Sequence, residues 1–331
     1  MASSMEVNVG SVMQPLMNAN ASSSGLTRGP INGPTPFMQR LIPREMRHIK
    51  RVYDPTKRHS EQTKVPNFPP IPQTFLDAMS VRETVYVDEQ HVPLENEFDN
   101  DDQRATHFVI YASVQKLVAH EVRDPTTDAI LIPRQSVTRT LPIGTIRLVP
   151  FPHPPHPRAG GAYVGDVLTN AGSPASDLDP GTPRTVAPLS RAEASRVVTP
   201  FVWPPQYERA TDLHDGQEPY LKLGRLAVLK EFRGRGIASQ LIRSAINFAA
   251  VDADIWDPMA SNIGFERVEL TPSGGQLLPR WNGLFCCHAQ ETAVPIWEKH
   301  GFKVDRSLGR WTEEGIPHVA MFLRVPVAKK G

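Results

Sequence analysis

A buried strand that runs through a glycine turn into an amphipathic helix admits few folds. This chain contains one such unit. Residues 220–229 (YLKLGRLAVL) alternate apolar residues at Leu221 and Leu223 and then run continuously from Leu226 to Leu229, which reads as a buried strand. The helix that follows carries Ile237, Leu241, Ile242, Ala245, Ile246 and Ala249 on one stripe. Between them stands Arg233-Gly234-Arg235-Gly236-Ile237-Ala238. Two glycines let the backbone approach a bulky anion, and the first amides of the helix have no intrahelical acceptor. With the positive end of the helix dipole they form a site suited to a pyrophosphate. Arg233 and Arg235 add charge, and Ser239 offers a hydroxyl. Without GxGxxG or GK[ST] the loop is neither a dinucleotide fingerprint nor a P-loop. The competing reading is a glycine turn with solvated arginines.

Around this unit strands alternate with helices. Residues 105–114 and 142–149 read as strands, with a polar insertion at 115–140 between them. Residues 74–90 read as a helix, followed by a stretch, 88–102, with seven acids and no Lys or Arg. Residues 284–290 read as a buried strand and 291–300 as a helix whose start, near Val294, places Pro295 in its first turn. Residues 302–305 and 317–325 supply the last strands. The alternation predicts a mixed α/β sheet with helices on both faces.

Prolines punctuate the rest. Thirteen of the 33 lie in 150–219, which reads as a long surface insertion without regular structure. Residues 1–66 are rich in Ser, Asn, Pro and Gly and read as a disordered tail, with a short helix near Met38–Val52. The expectation is one domain over 67–331. A net charge of +1 gives no electrostatic argument for nucleic acid or an anionic membrane as partner. Cys286 and Cys287 are the only cysteines. Adjacent strand residues face opposite ways, so both are expected to be packing residues without a disulfide. That composition suits the cytoplasm. Eight Lys/Arg against three acids in 1–60 also leave a mitochondrial presequence, or a nuclear location, open.

The residues R-x-x-G-x-A at Arg233, Gly236 and Ala238 resemble the signature by which GNAT acetyltransferases hold the pyrophosphate of acetyl-CoA. The segments at 81–109, 143–150, 288–302 and 313–321 resemble the ElaA-like branch of that superfamily. The resemblance implies the GNAT acyl-CoA N-acyltransferase fold. It implies acetyl-CoA as cosubstrate, no metal, and direct transfer to a small amine, or to a protein amine, in a ternary complex. It puts Leu226, Ala227 and Val228 beside the cofactor arm, with Gln290 further along it. Many relatives carry a Tyr where this chain has Trp297, and an indole cannot protonate the leaving thiolate. That departure keeps a second function open, a CoA-binding regulatory protein with weakened catalysis.

The proton acceptor has three candidates. His288 ends the strand beside the cofactor strand and is either a base or a packed imidazole. Glu89 and Glu97 are favoured through the resemblance alone. The acids Glu95, Glu97, Asp99, Asp101 and Asp102 either attract a cationic amine or form a solvated loop. Arg147 either binds an acidic acceptor or closes an ordinary ion pair. His318 either lines the acceptor pocket or begins a strand. His153 and His156, set among prolines, read as loop residues and not as metal ligands.

Overall fold

The computed structural model describes residues 37–170, 210–251, 253–256 and 281–327. The start of the predicted tail, 1–36, and most of the predicted insertion, 171–209, lie outside the described residues. One sheet organises the molecule, with strand order β1-β2-β5-β8-β9-β12-β11-β6-β7 and with β10 (Lys303–Val304) paired to β12. Its central strands are β2 (Thr106–Ala119), β5 (Gln135–Val149), β8 (Leu221–Val228), β9 (Leu284–Gln290) and β12 (Ile316–Arg324). All neighbours are antiparallel except β8 with β9 and β11 (Arg310–Glu313) with β6 (Ala162–Val164). The mixed sheet with helices on both faces agrees with the sequence expectation.

On one face lies a helix of fifteen residues, Ile237–Val251. Its buried stripe of Ile237, Leu241, Ile242, Ala245 and Ala249 packs with Phe108, Ile146, Leu148, Leu221, Leu223, Phe285 and Cys287 in the largest core cluster. On the other face lies a helix at Gln73–Arg82 that widens into a π-helical stretch, Glu83–Glu89. Ala78 meets Val109 and Tyr111 of β2, and Val81 and Val85 meet Ala227 of β8. No helix among the described residues is long and apolar enough to cross a membrane.

Three expectations are corrected. Order begins at Phe37, not after residue 66. Strand β1 (Phe37–Leu41) pairs antiparallel with β2, and Met46, Ile49, Val52 and Tyr53 are buried against Phe75, Met79 and Phe98. A five-residue strand and two helical turns are too short to register as a period in a long window, so this segment looked like tail. The predicted helix near Met38–Val52 is two separate turns, Pro43–Met46 and Ile49–Val52. The polar stretch 115–140 is no separate insertion. It extends β2 and β5 into a long hairpin whose tip carries β3 (Val122–Arg123) and β4 (Ile130–Ile132). The described part of the proline-rich segment is also structured, because β6 and β7 (Val167–Leu168) extend the sheet beyond β11.

The acidic stretch after the π-helix is neither solvated nor free to attract a ligand. Arg82 donates from Nε to Glu97 at 2.6 Å and from Nη1 to Asp102 at 2.7 Å. Arg147 of β5 bonds Asp102 at 2.8 Å and Asp99 through both terminal nitrogens, at 2.6 and 2.8 Å. Arg225 of β8 reaches Asp99 at 3.0 Å and Glu97 at 3.3 Å. Arg82, Glu97 and Asp102 are almost fully buried. Three arginines alternate with three carboxylates, so each buried charge faces its opposite. For Asp102, burial alone would raise the carboxyl, but Arg82 and Arg147 hold it well below the usual range. The alternative of an acceptor-binding Arg147 gives way to an ion pair.

Two outcomes follow. Arg82→Met leaves Glu97 and Asp102 buried without their main partner and lowers stability by about 3–5 kcal/mol in urea unfolding. His107 donates from Nε2 to the carbonyl of Asp102 at 2.9 Å and packs edge-on against Phe75. Burial pushes its pKa from 6.5 to about 4. Between those values the unfolded imidazole takes a proton that the folded one refuses. Stability is therefore lost as pH falls from about 6.5 towards 4. His107→Asn makes that fall shallower in thermal unfolding measured across the window.

Candidate active site

Strands β8 and β9 pair over only three residues each, Leu221–Leu223 against Phe285–Cys287. Beyond Leu223 and Cys287 they part. On the other side of β8, Arg225 and Leu226 stand opposite the single residue Ile146, since Gly224 pairs with Arg147 and Ala227 with Thr145. Arg225 takes up the irregularity with φ of 51°. A bulge of this kind bends its strand, and Arg225 is held there by Asp99 and Glu97. The result is a wedge between β8 and β9, with Leu226, Ala227 and Val228 along one edge and His288 and Gln290 along the other.

The glycine loop closes the β8 end of this wedge. Gly234 and Gly236 have φ of +75° and +78°, and a Cβ built on either would meet nothing within 4 Å. These residues therefore leave an open cradle at the start of the helix, with the amides of Ile237 and Ala238 in its first turn. Arg235 is exposed. Arg233 is committed elsewhere: Nε donates to the carbonyl of Val228 at 2.8 Å and Nη2 to Glu89 at 2.7 Å. Its guanidinium thus straps the loop to the end of β8 and to the π-helix. Ile237 and Ser239 are buried, so their side chains belong to the helix packing and only their backbones front the loop.

Each edge of the wedge is tied to the π-helix or its end. The Tyr86 hydroxyl donates to the carbonyl of Leu226 at 2.9 Å. Gln90 and Gln290 exchange amide hydrogen bonds at 2.8 and 3.3 Å. The bond from Tyr86 to the Leu226 carbonyl was not legible in the sequence, where Tyr86 lies within the helix read over 74–90. Trp297, in the short helix Val294–Glu298, packs in the main core, buried against Phe302.

His288 follows the last paired residue of β9 directly. It shares a face of β9 with Cys286, among Tyr220, Trp311 and Phe322. Its Nδ1 lies 3.4 Å from Glu313 Oε1, and Nε2 lies 3.1 Å from Nδ1 of His156. Glu313 also accepts from the Trp311 indole at 2.7 Å and has His318 Nε2 at 3.9 Å. Burial, reinforced by the charge of Lys222, lowers the His288 pKa to about 4, so the ring is neutral near pH 7. Burial would raise the Glu313 carboxyl, but its bond to His288 holds it below the usual range.

Of the three predicted proton acceptors, only His288 borders the wedge as a neutral base. Glu97 is buried between Arg82 and Arg225, and Glu89 is paired with Arg233. Both corrections have one cause: each carboxylate meets an arginine that is remote in sequence. His153 and His156 lie in a loop, as expected, and both are held there. His153 donates from Nε2 to the carbonyl of Tyr220, 2.9 Å away, with its ring stacked on Tyr220, and His156 faces His288. The β6–β7 hairpin roofs this face, as Glu314 accepts from Gly165 at 2.7 Å and Asn96 at 3.1 Å.

Residues 206–304, which span β8, the glycine loop, its helix, β9 and the Val294–Glu298 turn, match the family model for the acetyltransferase (GNAT) domain. No curated protein sequence matches the chain. Among solved structures it is similar to an acyl-CoA N-acyltransferase from Pseudomonas aeruginosa, at 14% identity over 88% of this chain and 100% of that one, with a TM-score of 0.35. It is similar to Escherichia coli ElaA at 12% identity, over 87% and 99% of the two chains, with a TM-score of 0.35. Arabidopsis thaliana NAA60 in complex with acetyl-CoA matches at 12% identity, over 88% and 99%, with a TM-score of 0.29. The glycine cradle at a helix start and the strand that leads into it lie within the residues that match the acetyltransferase (GNAT) domain model.

Proposed function

We propose that the chain is an acetyl-CoA-dependent N-acetyltransferase of the ElaA-like branch that transfers an acetyl group directly to an amine within the wedge between β8 and β9. One observation carries the reading. An open glycine cradle and a buried neutral imidazole stand at the two edges of a single strand opening. The loop amides and Arg235 would hold the pyrophosphate, and the pantetheine arm would lie along the β8 edge at Leu226–Val228. Acetyl-CoA supplies the activated acyl group.

The residues of this chain do the remaining work. His288 takes the proton that the acceptor nitrogen sheds as the new C–N bond forms, when that proton is most acidic. Glu313 acts as a positioning residue, holding Nδ1 so that Nε2, which faces His156, carries the lone pair. Tyr86, at the carbonyl of Leu226, is suited to donate a proton to the departing thiolate, the role that Trp297 cannot fill.

Calorimetry with acetyl-CoA is the direct test. Gly236→Asp brings a side chain and a negative charge to the cradle and abolishes binding while the variant stays folded. Unchanged affinity would remove the loop from the site. His288→Asn and Tyr86→Phe keep acetyl-CoA affinity but lower kcat over a panel of amines by about 100-fold or more, the usual range for a lost acid or base. Wild-type binding without turnover of any amine or peptide would favour a regulatory CoA-binding protein instead.

A further inference from the structure

Two segments far apart in sequence bring donors together on the acceptor face. His156 comes from the proline-rich segment, and Cys286 and His288 from alternate positions of β9. One ligand atom from each lies within 4.8 Å of the other two. The imidazole nitrogens that face each other are 3.1 Å apart, close to the edge of about 3.3 Å expected between two nitrogens bound 2.0–2.1 Å from one tetrahedral ion. We propose that His156, Cys286 and His288 bind one zinc-class divalent cation.

The chemistry of the donors selects the ion. Two imidazoles and a thiolate suit zinc and exclude magnesium or calcium, which take oxygen ligands. The surroundings are those of a built site. Glu313 stands behind His288 at Nδ1, and the Trp311 indole holds Glu313 in turn. A carboxylate behind an imidazole fixes the tautomer that leaves Nε2 free for a metal. Tyr220 and Phe322 flank the His156 ring, and Trp311 meets the His288 ring edge-on. This wall keeps water away and strengthens ligation. Lys222 adds a positive charge that acts on both imidazoles, and the carboxylate of Glu313 with a Cys286 thiolate offsets it. Binding takes the thiol proton from Cys286 and moves the His156 proton from Nδ1 to Nε2, so one proton is released per ion.

Three protein ligands leave a fourth position open, as in sites where water or a substrate atom completes the sphere. The site does not depend on the acetyl-transfer reading, but it draws on the same Nε2 lone pair of His288. Zinc occupancy and proton acceptance therefore exclude each other, and bound zinc holds the transferase off.

The experiment uses the full chain without a polyhistidine tag, reduced, stripped with chelator and titrated with Zn²⁺ by calorimetry, and with Co²⁺ by absorption. The expected result is one equivalent of either ion, with a thiolate-to-cobalt charge-transfer band. Cys286→Ala and Cys286→Ser both lose the band, and Glu313→Gln weakens zinc binding by about 10- to 100-fold. Cys287→Ala, whose side chain faces the opposite core, keeps the band. Circular dichroism confirms that each variant is folded. No stoichiometric ion in the wild type, or a band that survives removal of the Cys286 thiol, overturns the site. Zinc binding in a protein whose zinc-free form transfers no acetyl group upholds the site and sinks the preceding function. Acetyl transfer without zinc binding does the reverse.

Discussion

Three arginines and three carboxylates buried between the π-helix, β5 and β8 hold the rest of the molecule in register. Arg147 is committed to Asp99 and Asp102, and Arg225 to Asp99 and Glu97. Burying charges is costly, and this arrangement is tolerable because each one has opposite charges as near neighbours. Its geometric consequence matters more than its energy. Arg225 sits at the bulge that turns β8 away from β9, so the ion network and the opening of the wedge are one feature. Any element that moved the acid stretch would also move the strand edge along which an acyl donor would lie.

The wedge has two unlike walls. The helix face is apolar throughout, with Leu221, Leu223, Phe285 and Cys287 in the main core. The opposite face is polar and titratable, with Lys222, His288, Glu313 and His318 beside the rings of Tyr220, Trp311 and Phe322. The strand alternation that sorts Cys287 from Cys286 and His288 is what makes this asymmetry. A neutral imidazole survives there because burial opposes its protonation, while Glu313 keeps its orientation. The same neutrality would serve both the proposed proton acceptance and the proposed metal ligation.

Legibility in the sequence followed the range of the interactions. The β8 strand, its glycine loop and the helix after it were readable because apolar alternation, glycine spacing and the 3.6-residue stripe are all local. So was the late start of the Val294–Glu298 helix, since proline excludes itself from a helix interior. The N-terminal strand and turns were missed because β1 is stable only against β2 and Met46, Ile49 and Val52 only against Phe75 and Met79. Seven acids in a row looked solvated because Arg147 and Arg225 lie far along the chain. Glu89 was misjudged for the same reason, its partner Arg233 standing 144 residues away.

What the sequence determined alone was a strand, an anion cradle and an amphipathic helix, together with the α/β alternation around them, because backbone conformation and side-chain period are set by neighbours along the chain. What the tertiary structure decided was which polar groups are buried together. His156 meets His288 across 132 residues. Whether a carboxylate is an acceptor, an ion-pair partner or a support for an imidazole depends on the charges and dielectric around it. Those come from residues that only folding brings near.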